Sequence, residues 1–247
     1  MMRDVKYWIT RRSVASALVG GVAIVFLAAV PAREIEARPA HDFGANDRAI
    51  SGTARVIDGD TIEIAGRRIR LEGIDAPEHG QTCGRRFFGT WNCGAAAADA
   101  LRELVDDRSV MCESQGDDKY GRMLGICFVD GADINAQMVR EGYAWAFVKY
   151  SKSYVREEAE ARAARAGIWT GDAEPAWIFR EKRWAGAEYA APHGCAIKGN
   201  ISSHGYIYYV PWSPRYTQVK IEVEKGERWF CSEADAIAAG WRAASVH

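Results

Sequence analysis

Two carboxylates stand two residues apart at Asp58 and Asp60, in the run "VIDGDT" at 56–61. In an extended chain such side chains point to one side, and clustered carboxylate oxygens are what a hard divalent cation requires. Further on, "RIRLEGIDAPE" at 68–78 places Arg70, Asp75 and Glu78 on a strand and on the turn that Pro77 stiffens. Such a turn can aim an acid, a backbone carbonyl and a second acid into one site. A third run, "DDKYGR" at 117–122, is a hairpin turn that returns Arg122 to the framework beside the ring of Tyr120. Each run alone has an ordinary reading: an acidic turn, a solvated strand with a surface ion pair, a hairpin loop. Together they bring two arginines and three or four carboxylates, the parts of metal-assisted phosphodiester hydrolysis, which needs ligands, a base and a guanidinium clamp.

These side chains need a framework, and the pattern around them supplies one. From Thr53 the chain alternates apolar and polar residues through Asp75, with Gly66 at a turn, which predicts strands joined by a turn. "NCGAAAADALRELV" predicts a helix behind an Asn92 cap, and "DINAQMVREG" a short one from Asp133 to Gly142. Strands are expected at Ser109–Glu113, Arg122–Val129 and Tyr143–Val148, and a charged helix from about Ser153, ended by Gly167. The count is five strands and three helices. Six cysteines form an even set, and their spacing suggests three local pairs. The hairpin centred between Lys119 and Tyr120 puts Cys112 opposite Cys127. Cys83 and Cys93 would close a Gly-rich loop, and Cys195 and Cys231 remain.

"VIDGDT", "RLEGIDAPE", "DKYGR", "VREGYA" and "GIW", in this order, resemble the staphylococcal nuclease family over roughly residues 53–170. The resemblance implies a five-stranded OB-fold barrel with three helices. It also implies a Ca²⁺-dependent endonuclease and exonuclease of DNA and RNA that leaves 3′-phosphate and 5′-hydroxyl ends. Asp60, Asp75 and the main-chain carbonyl of Ala76 would hold the metal, with Asp58 in support. Ala76 stands where the family commonly has threonine, but the ligand there is the backbone oxygen. Glu78 corresponds to the general base, and Arg70 and Arg122 to the phosphate clamp. Tyr120 and Tyr150 fall near positions beside the bound nucleotide. The cysteines resemble those of an exported bacterial branch in which a Cys83–Cys93 bridge pins the loop after Glu78. The alternative from another class is a barrel of weak or lost activity that binds nucleic acid or an envelope partner; such copies lose the acids or arginines that this chain keeps.

The rest of the chain bears on where it works. Basic residues precede an uncharged apolar run at 13–30, so residues 1–32 read as a signal peptide or an uncleaved N-terminal anchor, and the protein as exported, periplasmic or secreted. Without that segment, which carries four basic and one acidic side chain, the formal charge falls from −1 to about −4. A globally basic nucleic-acid binder is excluded, so positive charge must be concentrated locally. Residues 33–52 are expected as a linker, 53–170 as the barrel, 171–191 as a connector and 192–247 as a small α+β module. On "CAIKGN" and "FCSEADAIAAGW" the module resembles what is sometimes called a sunset domain. A disulfide there is favoured over zinc bound by His193, Cys195, His204 and Cys231, because tight Cys-x2-Cys spacing is absent. No stable protein partner is implied, and a monomer is expected. A chain ended near Asp172 keeps every residue assigned to metal binding, base catalysis and phosphate clamping, and is expected to remain a folded and active nuclease.

Overall fold

The computed structural model describes residues 49–244, so the expected signal segment and most of the linker lie outside the described residues. Strand β1 (Ala49–Asp58) starts four residues before Thr53, inside the expected linker. The reason is pairing: Ala49–Thr53 run antiparallel to a later strand, from Glu113 back to Ser109. β2 (Thr61–Ile64) and β3 (Arg67–Leu71) follow, joined by Ala65 and Gly66, both at positive φ, as a tight two-residue hairpin turn requires. β4 (Ile74–Asp75), β5 (Thr82–Gly84) and β6 (Thr90–Asn92) are short. Helix α1 (Cys93–Val105) is capped by Asn92, whose side chain accepts from the Ala95 N–H.

The hairpin is β7 (Ser109–Asp117) and β8 (Met123–Val129), with Cys112 paired to Cys127 and a register shift between Ser114 and Asp117. β9 (Ala132–Asp133) leads into α2 (Ile134–Arg140), where Asp133 accepts from the Ala136 N–H. β10 (Trp145–Ala146) is shorter than the strand expected over 143–148, because only these two residues pair, against Asp75 and Ile74 of β4. α3 (Val155–Ala164) stops at Arg165, which takes the left-handed conformation two residues before Gly167, the expected stop.

β1, β2, β3, β7 and β8 form a sheet ordered β3-β2-β1-β7-β8, closed by parallel pairing of β3 with β8. The result is a five-stranded mixed barrel of OB type, with no free edge where it closes. Ile62, Ile64, Ile69, Leu71, Leu101 and Met138 fill it. Fully buried Asn135 ties α2 to the barrel: its amide donates to the Glu72 and Gly125 carbonyls and accepts from the Cys127 N–H.

The expected connector is largely a helix, α4 (Ala176–Ala190). Beyond it come β11 (Ile197–Ser202), β12 (Gly205–Tyr209), β13 (Arg228–Phe230), α5 (Glu233–Ala238) and β14 (Arg242–Ala243), in a sheet ordered β13-β11-β12-β14. Ile197, Tyr208, Phe230, Ala236 and Trp241 are its core. Disulfides join Cys83 to Cys93, Cys112 to Cys127 and Cys195 to Cys231. Among the described residues no helix is long and apolar enough to cross a membrane.

Candidate active site

Asp58 ends β1 and Asp60 lies in the turn to β2, held by its own N–H donating to Asp58 Oδ1 at 3.1 Å. Gly59 between them is required by close approach: a Cβ there would sit 2.8 Å from the Cβ atoms of both Ala76 and Ala97. That contact presses the acidic turn against the turn after β4. Gly94, in the first turn of α1, is required likewise, since a Cβ there would collide with the Glu78 carbonyl. Glu78 is further fixed by Gln81, whose side-chain oxygen accepts from the Glu78 N–H at 3.0 Å.

Arg70, paired across from Thr61 on β3, bridges two acids: Nη1 to Asp60 Oδ1 at 2.9 Å and Nη2 to Asp75 Oδ1 at 2.7 Å. Asp60 also accepts from Thr61 Oγ1 and from the Ala76 N–H. A further guanidinium, Arg180 of α4, donates to Asp75 Oδ1 and Oδ2 at 3.1 and 2.8 Å and to Glu78 Oε1 at 2.5 Å. Carboxylates and guanidinium groups therefore alternate. Among the described residues no three acidic, histidine or cysteine side chains converge on one point.

Burial works against ionisation of Asp60, but Arg70 above all, with the Ala76 N–H and Arg180, outweighs it and holds the carboxyl below its usual range. Asp58, buried beside the Asp60 charge, is pushed up to about 7. Glu78 is pushed up to about 7 by burial; Arg180 opposes the shift, and the charges of Asp58 and Asp60 add to it. These environments divide the acids into one held ionised and two that titrate near neutrality.

Arg122 is not in contact with this group. Its Nε donates to Asp118 Oδ2 at 2.7 Å, and its guanidinium lies 5.4 Å from the centre of the Tyr120 ring. It does share one cleft of about 720 Å³ with Asp58, Asp60, Arg70, Ala76, Glu78, Tyr120 and Tyr150. Asp75 lies behind the wall, fully buried. Tyr150 is exposed at the cleft, its ring 4.9 Å from that of Phe147.

Sequence reasoning missed the side chains that α4 and the C-terminal module bring to this cleft, namely Trp177, Arg180, Glu181, Trp184, Trp212 and Glu233. A signal existed. Trp177, Arg180 and Trp184 recur at helical spacing in "AWIFREKRW", which places them on one face.

Residues 68–171 match the sequence profile described as "Staphylococcal nuclease homologue". The chain is 38% identical over 176 residues to the succinoglycan biosynthesis protein ExoI of Rhizobium meliloti (strain 1021), covering 70% of this chain and 90% of that one. It is 39% identical over 137 residues to an uncharacterized endonuclease of Escherichia coli O157:H7, covering 52% and 83% of the two chains. With a micrococcal nuclease of Shigella flexneri it shares 35% identity over 144 residues, 51% of this chain and 77% of that one.

Proposed function

The chain belongs to the staphylococcal nuclease family, and on that premise we propose that it is a Ca²⁺-dependent phosphodiesterase. It cleaves DNA and RNA, internally and from ends, leaving 3′-phosphate and 5′-hydroxyl products. The observation that carries the reading is Arg70, which shares one cleft with Asp60, Glu78 and Arg122 and bridges Asp60 to Asp75 behind its wall. Buried acids there are paired with fixed cations, an arrangement suited to a phosphorus centre that gains negative charge during reaction.

The donor set for the metal is all oxygen, as a hard cation requires: Asp60, Asp75 and the Ala76 carbonyl, with Asp58 in support. Two neighbouring buried carboxylates, one raised by burial and then by the charge of the other, favour added positive charge at that spot. Bound there, Ca²⁺ would supply Lewis-acid stabilisation of the phosphate. Glu78 acts as a carboxylate, taking one proton from the attacking water as the water oxygen bonds to phosphorus and the P–O5′ bond breaks, and the departing 5′-oxygen takes up a proton from solvent to become the 5′-hydroxyl. Arg70 and Arg122 hold the non-bridging oxygens, and Tyr120 and Tyr150 flank the nucleotide.

Three disulfides fit an oxidising compartment. Export through the N-terminal segment, cleaved or kept as an anchor, and action as a monomer complete the reading. The test is digestion of DNA and RNA by the purified chain with Ca²⁺, with EDTA and with Mg²⁺ alone, followed by end-group analysis. Cleavage with Ca²⁺ and its loss with EDTA are expected; equal rates in all three, or 5′-phosphate ends, overturn the reading.

A further inference from the structure

Arg180 is a cleft cation for which the chemistry above has no place. It comes from α4, beyond residue 171 where the family match ends, yet it reaches the two carboxylates on which that chemistry leans hardest. Its two terminal nitrogens take both oxygens of Asp75, and one also reaches Glu78. The Arg180 side chain is 20% exposed and that of Asp75 0%, so this two-pronged, charge-assisted contact is largely shielded from water.

The helix that delivers Arg180 is anchored on both sides of it. At its entry the Gln81 side-chain amide donates to the Glu174 carbonyl at 2.6 Å, and the Gly84 N–H to the Asp172 carbonyl at 2.7 Å. Trp177 stacks on Phe147 with ring centres 5.7 Å apart. One turn beyond Arg180, Trp184 packs on the C-terminal core and lies 6.2 Å from the Trp212 ring. Asp75 thus has Oδ1 shared between Arg70 and Arg180, and Oδ2 bonded to Arg180. A divalent cation and a guanidinium competing for the same desolvated oxygens repel each other strongly at such distances.

The geometry points to Arg180 as a positioning residue of the active site, a counter-cation built into the chain that holds Asp75 and Glu78 in place and yields Asp75 to a divalent cation. This rests on the reading of the cleft as a divalent-cation site. Arg180 steadies the carboxylates before the cation arrives and weakens its binding, since binding must first break the Asp75 contact. The same exchange loosens Arg180 from Glu78, so one event frees both a ligand and the base.

The test compares the full chain with Arg180→Gln and Arg180→Lys, by Ca²⁺ calorimetry and by thermal unfolding in EDTA and in saturating Ca²⁺. Arg180→Gln should bind Ca²⁺ at least tenfold more tightly than the parent. Arg180→Lys, which keeps the charge but not the two-pronged contact, should fall between them. In EDTA the Arg180→Gln chain should melt below the parent, and in saturating Ca²⁺ that gap should close or reverse, because a ligand stabilises most the form it binds most tightly. A purely structural role would leave the gap the same in both conditions. If Arg180→Gln does not fold, Arg180→Lys against the parent decides. Unchanged or weaker Ca²⁺ affinity in the variants overturns the proposal, as does the absence of Ca²⁺ binding by all three chains. Loss of the nuclease reading would look different, with the affinity order intact and no phosphodiester cleaved.

Discussion

If Glu78 takes the proton from the attacking water, Glu78→Gln lowers kcat by about 10²–10⁴-fold with folding intact. Arg122→Ala should cost roughly 10²–10³-fold as a transition-state clamp. Near-parent rates in both variants, with Ca²⁺ present and circular dichroism unchanged, would remove these residues from the mechanism. The pH profile adds a second check. Because burial raises Glu78 to about 7, the reactive carboxylate is scarce below that pH, and kcat/KM should climb about tenfold per unit until it levels off near neutrality. The same shift has a stability sign. Between the ordinary carboxyl range and about 7 the folded chain holds a proton that the unfolded chain has lost, so metal-free stability falls as pH rises through this window. Glu78→Gln should flatten the rate profile and make the stability curve shallower, leaving the share of Asp58, and a variant that keeps the parent's dependence in both assigns it elsewhere. At this scale the sequence was informative because Asp58, Asp60, Arg70 and Glu78 sit in short runs whose local geometry fixes their direction. Arg122 was legible as a cleft residue but not as the partner of Asp118, since that pairing depends on how the hairpin turn closes.

Elements whose apolar pattern and caps agree were readable in advance, and α1 and α2 begin at the caps that Asn92 and Asp133 announce. Pairing that depends on distant partners was not. β1 gains its first residues from β7, β10 shrinks to the two residues that meet β4, and α4 hid in a stretch whose charges resemble a linker. The buried tie between α2 and the barrel gives a quantitative test. Asn135→Ala strands the Cys127 N–H and removes donors from two carbonyls, which should cost about 3 kcal/mol in urea unfolding. A loss below about 1 kcal/mol would mean that water replaces the amide. For α4, Trp177→Ala should raise KM on oligonucleotides more than it lowers kcat if the ring faces substrate, since it lines the cleft and carries no assigned catalytic role. Equal KM values would leave Trp177 as a packing residue beneath α4.

For the molecule as a whole, the barrel core needs nothing beyond Tyr154, whereas the cluster around Trp145 and Ile168 includes Ala176 and Trp177. A chain ended at Asp172 should therefore fold but melt roughly 5–10 °C lower. On the proposal made for Arg180, it would also meet Ca²⁺ with Asp75 facing Arg70 alone. A truncation that melts like the parent would place α4 outside the cooperative unit. The Cys83–Cys93 bridge sits at the junction of these parts. Cys93 begins the helix packed under the Glu78 carbonyl, while the residue after Cys83 holds the chain entering α4. Left as thiols, these two cysteines would slacken the base and the seat of Arg180 together. If the chain is exported as proposed, that junction would tighten only in an oxidising compartment, since the bridge that ties it does not persist where thiols are kept reduced.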